Sequence, residues 1–156
     1  MKISTKYLIV ITLMTIATSG CNKGGSTDPL PVPDATKPTI SITKPTPGQA
    51  FISGNTILFQ ATFSDNEKLK SYDFTISKKV IGGLILKVVP TSTPFSYIKS
   101  STSLTGIKSQ DISLNDIIIP ANTATNIVTP GAYNLKVTCI DGTDNTTSTT
   151  LEFTIN

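Results

Sequence analysis

The chain has 156 residues with 13 basic and 10 acidic side chains; every basic residue is Lys, and there is no His and no Trp. Without His it lacks the commonest general base near neutral pH and the commonest transition-metal ligand, which argues against zinc or copper sites and Ser-His-Asp catalysis. Scattered lysines with no Arg offer no basic patch for nucleic acid.

The first element is a leader. Lys2 and Lys6 flank the start of an apolar stretch, Tyr7 to Ala17, far shorter than the ~20 residues that span a bilayer, and so an export signal rather than a membrane helix. It ends in Thr18-Ser19-Gly20-Cys21. Small residues ahead of a lone cysteine resemble the lipobox of bacterial lipoproteins, where the thiol receives diacylglycerol and the leader is cut just before it. Thr18 stands where that pattern usually has Leu, Val or Ile; Ser19, Gly20 and Cys21 fit it. The resemblance implies a signal peptide over residues 1–20, lipid on Cys21 and an exported protein anchored to the cell envelope. Asn22 replaces the Asp that commonly retains lipoproteins in the inner membrane, which favours the outer membrane. Removing the leader leaves 136 residues, enough for one domain, with eleven lysines against ten acids. The only other cysteine is Cys139, so lipid on Cys21 leaves no intramolecular disulfide and the core alone must hold the fold.

Residues 21–37 follow with adjacent glycines and then three prolines in Pro29-Leu30-Pro31-Val32-Pro33, a spacer of mixed stiffness. From residue 38 to residue 156 the apolar period is two, with Thr, Ile, Val, Phe and Tyr abundant. Ile40 and Ile42 mark a first strand, closed by a turn at Pro45-Thr46-Pro47-Gly48; Ile57, Phe59, Ala61 and Phe63 line a second; Tyr72, Phe74 and Ile76 line a third. Further strands are expected over Leu84 to Val89, Asp111 to Ile119, Tyr133 to Ile140 and Ser148 to Ile155, while Lys99 to Gln110 reads as a connection with at most a short helical turn. About seven short strands with turns between them predict an all-β, antiparallel sandwich.

The run Pro130-Gly131-Ala132-Tyr133-Asn134-Leu135-Lys136-Val137-Thr138-Cys139-Ile140-Asp141-Gly142 resembles the last hairpin of many bacterial immunoglobulin-like domains. Tyr133 there is similar to a tyrosine corner. With the segments at Ser64 (SDN), Leu69 (LKSYDF), Ile117 (IIIP) and Pro130 (PGAY), the chain from about Thr36 to Asn156 resembles small bacterial lipoproteins that carry an uncharacterised immunoglobulin-like domain. Members of that group often carry a His-rich stretch after the third strand, which would imply metal binding. The corresponding segment here, Ser77 to Val89, has no His, so that role does not transfer.

Two candidate sites remain. An immunoglobulin-like sandwich would bring the loops after its second and sixth strands to the end where the chain enters. Asp34, Asp65, Asn66, Glu67, Asp141, Asp144 and Asn145 would then converge as oxygen ligands for calcium. The same residue types also make tight turns by capping local backbone, and both readings stay open. The most apolar segment of the mature chain, Val80 to Val89, offers Val80, Ile81, Leu84 and Leu86 as an edge that could accept a partner by strand addition; alternatively it is a hairpin turning at Gly82-Gly83 and buried in the core. Catalysis has weak motifs only. Ser41 and Lys44 match the spacing of serine acyltransferases, but that pair needs one helix face and here lies on a strand. The expected function is therefore a non-catalytic binding or assembly module on the envelope, with a protein or glycan ligand. The alternative is a structural spacer or subunit of a surface assembly, with or without calcium.

Overall fold

Alternating apolar and polar side chains give strands one buried and one wet face, and that pattern organises the computed structural model, which describes residues 31–80, 92–104 and 106–156. The strands are β1 (Thr39–Lys44), β2 (Ala50–Phe51), β3 (Thr56–Ser64), β4 (Leu69–Lys78), β5 (Ser92–Thr93), β6 (Tyr97–Ser103), β7 (Ser109–Ile118), β8 (Ile127–Val128), β9 (Gly131–Asp141) and β10 (Thr146–Ile155). Seven of them have six or more residues. No helix occurs among the described residues, and none there could cross a membrane.

One sheet has the order β1-β3-β7 and the other β2-β10-β9-β4-β6, with β5 and β8 forming a short parallel pair. The long strands pair antiparallel, and their order is that of an immunoglobulin-like sandwich. The faces meet through aromatic rings: Phe59 of β3 lies edge-on to Phe74 of β4 at 4.7 Å, and Phe63 stacks on Tyr72 at 5.1 Å. Around these, Ile57, Ile76, Leu135, Val137 and Phe153 are fully buried in a single core.

The turn after β1 forms as the residues require. Gln49 N donates to Thr46 O at 3.0 Å, Pro47 supplies the preset φ, and Gly48 takes φ 75°. Gly131, at φ 118°, opens β9 in a backbone conformation that favours glycine; an added Cβ would meet only the movable tip of Lys78. Tyr133 behaves as a tyrosine corner: its hydroxyl donates to Thr129 O at 2.5 Å and accepts from Phe95 N at 3.3 Å.

The structure corrects one element. Lys99 to Gln110 is not a connection throughout; Lys99 to Ser103 belong to β6, and Ser109 and Gln110 open β7. Its Ser and Thr residues suit β6 because that strand is the outer member of its sheet and pairs only with β4 among the described residues. The strand expected over Leu84 to Val89, and with it Ile81, Leu84 and Leu86, lies outside the described residues, as does Cys21. Val80 is described and is 91% exposed.

A β-bulge shapes β7. Phe59 pairs with Leu114 but Ile57 pairs with Ile117, so two residues of β7, Asn115 and Asp116, stand opposite Leu58 of β3. The bulge changes the parity of the strand: Ile112 and Leu114 pack on the core before it, Ile117 and Ile119 after it, and Asp116 and Ile118 are turned outward.

Candidate metal centre

The compact unit begins at Pro33, and its first residues are fastened to the β9–β10 loop. Asp34 O accepts from Asn145 Nδ2 at 3.0 Å and from Thr143 Oγ1 at 3.3 Å; Thr36 O accepts from Asn145 Nδ2 at 3.3 Å. Asp65 arrives from the turn after β3 and Asp141 from the end of β9. One carboxylate oxygen from each of Asp34, Asp65 and Asp141 lies within 4.8 Å of the others.

Each carboxylate is also an acceptor for the turn that carries it. Asp34 Oδ1 takes Thr36 N at 2.9 Å and Asn66 Nδ2 at 3.1 Å. Asp65 Oδ2 takes the backbone amides of Glu67 and Lys68 at 3.0 and 2.9 Å. Asp141 Oδ1 takes Thr143 N and Asn145 N, both at 2.8 Å, and Asp141 Oδ2 takes Asn145 Nδ2 at 2.8 Å. The calcium and turn readings therefore describe the same side chains and do not exclude one another.

Two features exceed what the turns require. Asp65 Oδ1 is buried without a hydrogen-bond partner, at a desolvation cost. In addition, the Asn145 amide nitrogen stands 2.8 to 3.3 Å from four oxygens, those of Asp34 O, Thr36 O, Asp141 Oδ2 and Thr143 Oγ1. An amide has two hydrogens to give, so these closely spaced oxygens share few donors, the Thr143 hydroxyl near Asp34 O supplying one more. The ion pairs among the described residues, Lys70–Asp144, Lys79–Glu152 and Lys99–Asp116, do not involve Asp34, Asp65 or Asp141.

Electrostatics keep at least two of the acids ionised. Asp141 is fully buried, and burial pushes its pKa up, but the bonds from Asn145 and Thr143 together hold it below the ordinary carboxylate value. Asp34 lies below it as well, chiefly through the Thr36 amide and the Asn66 side chain. Beneath the cluster, burial and then the Asp65 carboxylate push the Cys139 thiol up to about 11, which leaves it a poor nucleophile.

Of the seven residues expected here, Asp34, Asp65 and Asp141 converge, with Asn66 and Asn145 bonded to them. Glu67 and Asp144 do not join. Glu67 is exposed and contributes its backbone amide to Asp65. Asp144 takes φ 71° at the tip of the β9–β10 loop and pairs with Lys70 in solvent. Thr143 is the residue the sequence reading missed; its place between Asp141 and Asn145 in a tight loop was the available signal. The oxygens assembled are hard ligands of mixed carboxylate, hydroxyl and carbonyl type, the set that suits calcium.

No curated protein matches the chain. Residues 20–156 match the family described as Domain of unknown function (DUF4625), and the chain belongs to that family.

Proposed function

We propose that this chain is a non-catalytic binding module of the cell envelope, held by lipid on Cys21, in which calcium among Asp34, Asp65 and Asp141 locks the tether onto the sandwich. The observation that carries the calcium reading is the meeting of three carboxylates from three separate segments with no paired lysine among the described residues. Asn145 would turn its amide to offer oxygen, and the Asp34 and Thr36 carbonyls it releases would remain within the same cage. The lack of His and the inert, buried Cys139 support a binding role over a catalytic one.

Thermal melting of the full chain in detergent, first with EDTA and then with millimolar calcium, tests this. A ligand that binds only the native state raises stability by about 2.7 kcal/mol when free ligand is a hundred times Kd. The expected result is a clear rise in midpoint, abolished by Asp65→Asn. Superimposable melts in EDTA and calcium would reduce the three acids to turn residues.

A further inference from the structure

At the opposite end of the sandwich from the carboxylates, the edges of the two sheets part around a cleft of about 430 Å³. The separation of the two ends follows from β3: Thr56 pairs with Ile118 beside the cleft, whereas Ser64 leads directly into Asp65. The tether enters at Asp34, so the cleft sits at the end facing away from it. Its volume falls within the range of small-ligand sites, about 300–1,000 Å³.

The cleft is built and held. Phe95 and Val128 form an apolar, buried floor, while Tyr97 of β6 and the outward-turned Asp116 and Ile118 of β7 stand at the sides. Ile118 is 61% exposed, a large apolar side chain left in water by the bulge that also points Asp116 outward. The walls are fixed from behind. The Tyr133 hydroxyl joins Phe95 N to Thr129 O, Thr129 N bonds Thr93 O at 3.0 Å, and Asn122 Oδ1 takes Val128 N at 2.8 Å. A site whose walls are fixed in advance loses less entropy when it binds.

Charge selects the ligand. Tyr97 donates its hydroxyl to Asp116 Oδ2 at 3.3 Å, and Lys99 Nζ lies 4.0 Å from the same oxygen. The carboxylate thus has its own counter-charge, and a cationic ligand gains little from it. What the rim presents is a carboxylate acceptor and a phenol hydroxyl beside apolar surface from Tyr97, Phe95 and proline. That combination matches a molecule with one apolar face and several neutral hydroxyl groups. We infer that the cleft binds a neutral pyranose sugar, its ring face on Tyr97 and Ile118 and its hydroxyls shared between Asp116 and the Tyr97 hydroxyl. The inference rests on the reading of the chain as a binding module and is independent of calcium.

The test is chemical-shift mapping on the full chain in an uncharged, sugar-free detergent. Methyl β-D-glucopyranoside, methyl β-D-galactopyranoside and methyl α-D-mannopyranoside serve as probes, and lysine amide as the cationic comparison, each with EDTA and with calcium. The expected result is saturable shifts at Tyr97, Ile118 and Val128 from at least one glycoside in either buffer, weakened on the order of tenfold by Asp116→Ala, as loss of a hydrogen bond to a charged group implies. Melting of Asp116→Ala close to that of the parent separates lost binding from lost folding. If Asp116→Ala melts early, Tyr97→Phe, which keeps the ring and removes the hydroxyl, must weaken binding instead. Absence of saturable shifts with every glycoside, or shifts from lysine amide alone, overturns the inference. A flat calcium melt with glycoside binding intact would sink only the metal reading.

Discussion

Asp141 shows how a single carboxylate can serve structure and site together. It is fully buried and tolerates its charge because two backbone amides and two side chains donate to it. Its pKa is depressed in the folded state, so the stability it contributes is complete above the unfolded value, near 3.9, and is lost as pH falls through the lower folded value. The window is therefore below about pH 4. Asp34, depressed as well, adds to the same acid limb. Asp141→Asn sets an amide against Asn145 Nδ2, donor facing donor, and removes the charge to which two backbone amides and the Thr143 hydroxyl are bonded. The expected cost at neutral pH is about 1–3 kcal/mol, measured by urea unfolding in EDTA, and the mutant should lose stability less steeply than the parent between pH 5 and pH 2, approximately the range spanning these titrations. Acid limbs of equal slope would show that Asp141 does not carry the pH dependence.

Among the elements, the strands legible from sequence are those whose alternation is unbroken. Tyr72, Phe74 and Ile76 in β4, and Tyr133 through Cys139 in β9, place every second side chain in the core, and those strands lie where expected. Illegible were the features that interrupt the period. The β7 bulge shifts burial from even to odd positions, so Ile117, Ile118 and Ile119 read as one apolar run although the middle one faces water. Phe95, Leu104 and Val128 are core residues outside any alternating run, brought in by long-range closure. The acidic site was half legible. Turn-forming acids mark themselves, but whether a given one points inward depends on loop conformation, which parted Asp144 from Asp141 by a positive φ. Tyr133 ties these elements together, and Tyr133→Phe isolates its hydroxyl because the ring can keep its stacking on Phe153 at 5.8 Å. Leaving Phe95 N and Thr129 O without that partner should lower stability by about 1–3 kcal/mol. Unchanged urea unfolding of Tyr133→Phe would mean that the hydroxyl is already replaced by solvent.

For the whole molecule, the two ends of the sandwich divide the proposed work. The tether enters beside the carboxylate cluster, and the cleft opens about nine residues of β3 away, a distance of about 27–30 Å at the rise of an extended strand. Twelve residues separate Cys21 from Asp34, which reach at most about 45 Å when extended. On the proposed reading, a cation at the near end would leave the residues before Asp34 as the free leash. The arrangement depends on anchoring at Cys21. A diacylglycerol thioether supplies two chains, and two acyl chains hold a protein to a bilayer where one binds only reversibly. Cys21→Ala should therefore move the protein from the membrane fraction to the soluble fraction, while its melting midpoint remains that of the parent, because Cys21 lies outside the compact unit that starts at Pro33. Persistence of Cys21→Ala in membranes after a high-salt wash would remove lipid on this cysteine as the anchor.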